Sequence, residues 1–128
     1  MTRDTVITLR KTRRLLHDSD KWNKFHSSIG IAKSPCHYGS VDACSWCLSG
    51  AIQRVCLDNG YGLTRRENAT QALLENIPLH LNKKIRLGIE RVSVTRVNDL
   101  PTTKYKDIIG WIDHAIKEIQ IEIGSKSN

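Results

Sequence analysis

Apolar residues recur every three or four positions along much of this chain, which is the spacing of one face of an α-helix. The first such segment covers residues 5–17, and we expect a helix there. The last one begins at Pro101, whose following threonines suit a helix start, and it ends at Gly124. Its apolar face consists of Tyr105, Ile108, Ile112, Ala115, Ile116, Ile119 and Ile123.

A second helix is predicted between Ser40 and Asp58. Ser40 is a suitable N-cap residue, and Asn59-Gly60 is typical of a helix end. The prediction places both cysteines of the CxxC motif within the helix. The residues that recur at helical spacing are Cys44, Cys47, Leu48, Ala51 and Val55.

The third predicted helix has a stronger start signal. Thr64 and Glu67 lie three residues apart and form a capping box, and the helix ends before Pro78. Its buried stripe comprises Ala69, Ala72, Leu73 and Ile77.

Two stretches lack a sustained helical pattern. Residues 18–40 are predicted to form an irregular connection, in which Trp22 and Phe25 anchor a loop or a short helix to the core. Residues 79–97 fit both a helix and a strand, and we favour a helical turn that leads into an extended piece.

The chain has 128 residues, which is the length of one ordinary domain. We therefore expect a mainly α fold: a compact single-domain bundle of about four helices over residues 1–128, with an irregular N-terminal loop. A short β element is expected around residues 30–40 or 91–97, and residues 1–3 and 124–128 are expected to be frayed. The aromatic share of only 5% also favours packed helices over a β-sandwich.

The sequence shows neither a signal peptide nor a transmembrane segment. No apolar run approaches the roughly 20 residues that cross a bilayer. We expect a soluble, cytoplasmic protein with no membrane partner. In a reducing compartment its four cysteines are expected as thiols or metal ligands, not as disulfides.

The net charge is +7, from twenty Lys and Arg against thirteen Asp and Glu. This balance attracts polyanions, so nucleic acid and an acidic protein surface are the expected partners. A well-solvated basic protein without such a partner is the alternative. The basic residues concentrate in two blocks. Those expected to bind a polyanion are Arg3, Arg10, Lys11, Arg13, Arg14, Lys83, Lys84, Arg86 and Arg91.

The cysteines permit two interpretations, a zinc site and close packing between helices. Zinc takes four thiolate or imidazole ligands, for which the candidates are Cys36, His37, Cys44 and Cys47. The sequence has no second CxxC and no paired histidine motif, and buried cysteine commonly acts as a small apolar residue. We favour packing and expect no metal and no cofactor. Redox chemistry is less favoured, because no βαβ pattern surrounds the motif.

Established catalytic signatures are lacking. The sequence contains no phosphate-binding loop, dinucleotide fingerprint, serine-hydrolase elbow or metalloprotease motif. Asn98-Asp99 precedes a turn that contains proline, and such residues most often bond their own backbone to fix a loop. The functional alternative has Asp99 as a ligand or base beside Asp113 or His114. An enzyme is therefore the less favoured class.

Three short stretches together resemble a known family: WCLSGAI at residues 46–52, VND at 97–99 and IDHAI at 112–116. It comprises short bacterial and phage proteins of unknown function that carry a WCxxGA helix and a later Asn-Asp before the closing helix. The resemblance runs over most of the chain, and it implies a compact helical fold and an origin on a mobile element, but no activity. Val97 and Lys104 depart from the pattern, which has an aromatic residue and a threonine there.

We expect a small, basic, non-enzymatic binding protein that contacts the nucleic-acid backbone or a protein that handles nucleic acid. One alternative is a phage or mobile-element inhibitor that docks on a host protein. Another is a small metal-dependent or hydrolytic enzyme that uses Cys44, Cys47 and Asp99. The few aromatic residues are not interleaved with the basic ones as in a single-strand stacking platform, and no helix-turn-helix signature is present. Binding is therefore expected to depend on backbone charge and shape, without base specificity.

Overall fold

The computed structural model describes residues 2–81 and 93–126. The protein is mainly helical, with a small three-stranded antiparallel sheet. Its helical segments include α1 (Arg3–Leu15), a 3-10 turn (Ser19–Lys21), α2 (Leu48–Asp58), α3 (Leu63–Glu75), α4 (Val94–Asn98) and α5 (Tyr105–Lys126). Its strands include β1 (Ser28–Gly30), β2 (Pro35–Cys36) and β3 (Ala43–Trp46).

Helix α1 contacts three other helices, α2, α3 and α5. Its buried face includes Val6 and Leu9, as the apolar spacing predicts, and also Thr5, Thr8 and Thr12. The hydroxyls of Thr8 and Thr12 donate to carbonyls one turn earlier, at 2.9 and 2.8 Å. Because these bonds satisfy the hydroxyls within the helix, both threonines can be buried.

The sheet has the strand order β2-β1-β3, and both pairs are antiparallel. β1 and β2 form a hairpin whose turn holds Lys33 in the left-handed region, with φ at 60°. This hairpin matches the β element expected around residues 30–40. The alternative place, residues 91–97, is not a strand in its described part, because residues 94–97 belong to α4. The Ser93 hydroxyl caps α4 by accepting a hydrogen bond from the Arg96 amide at 3.1 Å.

The first part of the predicted second helix is a strand. Residues 43–46 form β3, which pairs with β1, and α2 begins only at Leu48. Cys44 therefore lies in a strand and Cys47 is the N-cap of α2, so the prediction that both lie within a helix is wrong. Ser40 is not the helix cap either, since its hydroxyl accepts from the Asp42 amide within a turn. Cys44 and Cys47 have helical spacing, but residues 43–46 pair with β1 and form a strand, so a non-local contact overrides the local pattern.

Helix α3 begins two residues earlier than predicted. Gly62 is its N-cap and makes no side-chain cap bond, while Thr64 lies inside the helix. The predicted capping box is therefore wrong. The buried stripe is confirmed for Ala69, Ala72 and Leu73.

Helix α5 differs from the prediction at both ends. It begins at Tyr105, after a turn that includes Pro101, and it continues through Gly124. The expected change from a helical turn to an extended piece falls largely on residues 82–92, which lie outside the described residues.

The buried apolar side chains form a cluster to which α1, α2, α3 and α5 all contribute. Trp111 of α5 is fully buried in it, and its Nε1 donates to the Leu73 carbonyl of α3 at 2.7 Å. Trp22 packs against this cluster, as expected. Phe25 does not, because its side chain is 72% exposed, so the prediction that it anchors the loop is wrong.

Candidate functional site

Helix α1 presents exposed guanidinium groups on the side opposite its buried face. Arg3, Arg10 and Arg14 are all exposed. They occupy one narrow sector of the helix, because each residue turns the chain by about 100°. None of the three forms an ion pair with an acidic side chain in the described parts of the chain. We call these three residues the arginine row.

Arg13 lies on the same helix but is bound within the chain. Its Nε donates to Oδ1 of Asp113 in α5 at 2.5 Å, and its Nη2 lies 3.3 Å from Oδ2. The hydrogen bond to Asp113 raises the pKa of the Arg13 guanidinium. Arg13 therefore connects α1 to α5, and its charge is already neutralised by Asp113.

Lys11 is held on the flank of α1. Its ammonium donates to Oδ1 of Asn59 at 2.6 Å and lies 5.3 Å from the centre of the Tyr61 ring. The Arg65 guanidinium lies over the same ring at 3.4 Å. These contacts fix Lys11 beside the end of α2, away from the arginine row.

An open cleft of about 570 Å³ lies between the C-terminal part of α1, β3 and α2. Its lining combines exposed or half-buried basic side chains, which we call the rim, with buried or half-buried apolar side chains, which we call the floor. We call it the basic cleft. The rim consists of Lys11, Arg14, His17 and Lys21; the floor consists of Leu15, Ala43, Trp46 and Val55; Cys44, Asp58 and Asn59 complete the lining.

Asp58 is the acidic residue among those that line the basic cleft, and it is already paired. Its Oδ2 accepts from Nε of Arg54 at 2.9 Å. Arg54 also donates to the carbonyls of Tyr38 and Ser40, and its guanidinium lies 5.6 Å from the Trp46 ring. Because Arg54 neutralises this carboxylate, the cleft is electropositive.

Sequence reasoning missed two residues of the basic cleft, His17 and Lys21. Both continue the spacing of Arg10 and Arg14 by steps of three and four residues. That signal was present, but α1 ends at Leu15, and helical spacing predicts nothing beyond a helix end. The 3-10 turn brings Lys21 back to the cleft.

The second basic block is Lys83, Lys84, Arg86 and Arg91, and it lies outside the described residues. The described surface therefore brings together Arg14 and Lys11 from the predicted set, with His17 and Lys21 added.

The two cysteines of the CxxC motif have separate structural contacts. Sγ of Cys47 accepts from the Gly50 amide at 3.3 Å, and burial raises the pKa of this thiol. Cys44 lines the basic cleft and donates to the Asp42 carbonyl at 3.3 Å. A buried thiol with a raised pKa is a poor nucleophile and a poor metal ligand at neutral pH.

The other two candidate zinc ligands are also engaged. Sγ of Cys36 lies 3.2 Å from the Ser28 hydroxyl. The His37 ring lies 4.1 Å from the Tyr38 ring, and its Nδ1 accepts from the Gly39 amide at 3.0 Å. Across residues 2–81 and 93–126, no three His, Cys, Asp or Glu side chains form a group that could hold a metal ion.

Asn98 is fully buried and joins three segments of the chain. Its Oδ1 accepts from Nε1 of Trp22 at 2.6 Å and from the Leu48 amide, the first of α2, at 3.0 Å. Its Nδ2 donates to the Asn23 carbonyl at 3.1 Å and to Oδ1 of Asp99 at 2.9 Å. Asn98 was predicted to fix the loop before the closing helix, and this prediction is wrong. Its side chain instead holds loop 22–25 and the start of α2.

Asp99 acts on the same loop. Its Oδ1 also accepts from the amide of Phe25 at 2.9 Å, a residue with φ at 72°. Lys24 of that loop donates from Nζ to the Leu100 carbonyl at 2.7 Å. Asp99 thus holds an unfavourable backbone conformation in place, which is a structural role. Asp113, one of the expected partners for catalysis, is bound to Arg13 instead.

In the parts of the chain that the structure describes, no helix is long and apolar enough to cross a membrane. Neither a curated protein nor a solved structure matches the chain significantly. A family model, described as a family of unknown function (DUF6197), matches residues 1–118. This match agrees with the resemblance to a family of unknown function, and the chain belongs to the DUF6197 family.

Proposed function

We propose that this protein is a small non-enzymatic binding protein that contacts the phosphate backbone of nucleic acid. The contact surface comprises the arginine row and the adjoining basic cleft. The observation that carries the proposal is the accessibility and the lack of ion pairs of Arg10, Arg14 and Lys21. All three are accessible cations, and within the described ranges none forms an ion pair with a carboxylate.

The dimensions of the arginine row suit a charged strand. Arg3 and Arg14 are separated by about 16 Å along α1, at 1.5 Å per residue. One DNA strand places roughly five phosphates along that length. Each phosphate that a cation neutralises releases counterions, so binding through this surface falls steeply as salt increases.

The groups named for an enzyme serve other contacts, which supports a binding role. Cys47 is buried and caps α2. Both hydrogen bonds to Asp99 Oδ1 come from within the fold, from Asn98 and Phe25. Cys47 lacks the accessibility that a nucleophile requires, and Asp99 is engaged in holding the backbone of Phe25.

The test is fluorescence anisotropy with labelled duplex DNA, single-stranded DNA and RNA at several salt concentrations. The double variant Arg10→Glu/Arg14→Glu is compared with Lys106→Glu/Lys117→Glu, which makes the same change in net charge on exposed residues of α5. We expect the α1 variant to lower affinity by about tenfold or more and to reduce the salt slope by roughly two. The α5 control is expected to lose less than about threefold.

Two outcomes would overturn the proposal. Equal losses in the two double variants would mean that only the overall charge matters. No binding of the unaltered protein at low salt would exclude nucleic acid and make an acidic protein surface the leading partner class.

A further inference from the structure

The basic cleft differs from the arginine row in shape and chemistry. The row is a convex helix surface, whereas the cleft is a concavity of about 570 Å³. Sites for small organic ligands commonly measure 300–1,000 Å³. A concavity of this volume suits an unpaired nucleotide, whereas the convex row suits a phosphate backbone.

The floor of the cleft is apolar and comes from three elements. Leu15 belongs to the end of α1, Val55 belongs to α2, and Ala43 and Trp46 belong to β3. A bare phosphate would leave this apolar surface in contact with water. A ligand with a flat, partly apolar body would cover it, and a nucleobase with its sugar has that character.

The rim supplies charge for a phosphate. Lys11 is held by Asn59 at 2.6 Å, whereas Arg14 and Lys21 make no ion pair within residues 2–81 and 93–126. A concavity lined by two cations and by apolar side chains matches the two parts of a nucleotide, its phosphate and its base. The phosphate would lie at Arg14 and Lys21, and the base would lie on the floor.

The polar side chains that complete the lining of the cleft already form hydrogen bonds within the protein. This limits the contacts that the cleft can make to the edge of a base. The Asn59 amide accepts from Lys11 and donates to the Val55 carbonyl at 2.7 Å. The Cys44 thiol donates to the Asp42 carbonyl. Few side-chain donors or acceptors are left for a base edge, so the cleft is expected to accept different bases.

We propose that the basic cleft binds a single unpaired nucleotide, with its base on the apolar floor and its phosphate at Arg14 and Lys21. This inference rests on the proposed function and extends it to a preference for single strands. The same chemistry is offered by a free mononucleotide and by a nucleotide within a strand. The experiment therefore measures both.

The test uses the full chain with adenosine 5′-monophosphate, inorganic phosphate, a single-stranded oligonucleotide and a blunt duplex of the same sequence. Ala43→Phe fills the floor, and Lys21→Glu removes a rim cation without touching the core. Lys33→Glu, on the hairpin turn outside the cleft, is the charge-matched control. Thermal unfolding of each variant checks that it is folded.

We expect the single strand to bind at least about tenfold more tightly than the duplex at equal salt, and the mononucleotide to bind more tightly than phosphate. Ala43→Phe and Lys21→Glu are expected to remove that preference, while Lys33→Glu keeps it. If Ala43→Phe does not fold, the Lys21→Glu and Lys33→Glu pair decides the result.

The remaining outcomes separate the two proposals. Equal binding of single strand and duplex, unchanged by Lys21→Glu, overturns the nucleotide site and leaves backbone binding in place. Phosphate that binds as tightly as the mononucleotide also overturns it, because the floor is then unused. Mononucleotide binding without oligonucleotide binding supports the site with a free nucleotide as its ligand and overturns the proposed function. No binding of any probe overturns both.

Discussion

Gly50 lies directly against the backbone of Ser27: a carbon atom added at Gly50 would overlap the Ser27 carbonyl oxygen and lie 2.8 Å from its carbonyl carbon. The first turn of α2 therefore meets the chain just before β1 at backbone distance. A glycine is required there because of this contact, since the residue is in a helix and its dihedral angles are ordinary.

Gly50→Ala is expected to destabilise the protein by about 3 kcal/mol, because the added methyl group overlaps backbone atoms that cannot rotate away. The matched control is Gly110→Ala in α5, where an added carbon meets nothing within 4 Å. That change is expected to stabilise by about 0.5–1 kcal/mol through helix propensity. Urea denaturation of both variants gives the comparison, and a loss at Gly50 no larger than 0.5 kcal/mol would refute the close contact.

Asn98→Ala is expected to cost about 3 kcal/mol or more, because it leaves the buried Leu48 amide and the Trp22 indole without their acceptor. Asn98→Asp keeps an acceptor but loses the donor to Asn23 and puts a second carboxylate beside Asp99, so it is also expected to destabilise. Asn68→Ala, on the exposed face of α3, is the control. Chemical unfolding that gives Asn98→Ala and Asn68→Ala the same midpoint would contradict this role.

Stability is expected to fall at alkaline pH. Burial raises the pKa of Cys47 and of Cys56 above the ordinary thiol value of 9.0. The unfolded chain therefore loses these protons at a lower pH than the folded protein does. The contribution of these two thiols to the free energy of unfolding is fully present below the ordinary thiol pKa. It decreases as pH rises through and above that value. Burial also raises the pKa of Tyr105, which extends the effect to higher pH.

Urea midpoints measured at pH 7, 8.5 and 10 test this dependence. Cys47→Ser retains a capping oxygen and removes one titrating thiol, so its midpoint should vary less with pH than that of the unaltered protein. A midpoint that stays constant up to pH 10 would show that the buried thiols do not contribute.

Two cysteines are expected to react with thiol reagents in the folded protein and two are not. Cys36 and Cys44 are partly exposed, whereas Cys47 and Cys56 are buried. Labelling with a chromogenic disulfide reagent should therefore show two fast thiols, and four after denaturation. Because zinc would protect its ligands, the measurement is repeated with a chelator. Fast labelling of Cys44 only after chelation would support the alternative that Cys44 is a metal ligand.

The parts of the fold that depend on local pattern could be predicted from the sequence. The face of α3 is an example, because Ala69, Ala72 and Leu73 follow helical spacing and are buried. The start of α2 could not be predicted in this way. Whether residues 43–46 are helix or strand depends on pairing with β1, which lies about fifteen residues earlier. The local sequence of residues 43–46 does not indicate this pairing.

The candidate site also has a part that the sequence predicts and a part that it does not. The arginine row follows from spacing within one helix. The basic cleft needs α1, β3 and α2 to be placed side by side, so its apolar floor was not predictable. The role of Asn98 was predicted wrongly for a related reason. An asparagine before aspartate is typical of a local turn, and nothing in the sequence indicates that Trp22, 76 residues away, is its partner.

The hydrogen bonds of Asn98 also determine how the protein opens. One carboxamide holds the indole of Trp22, the first amide of α2 and the carbonyl of Asn23, so none of these can separate without disturbing the others. In native-state hydrogen exchange, the Leu48 amide and the Trp22 indole proton should therefore show the same opening free energy. Loop 22–25, although irregular and at the surface, would then unfold together with the start of α2 as one cooperative unit.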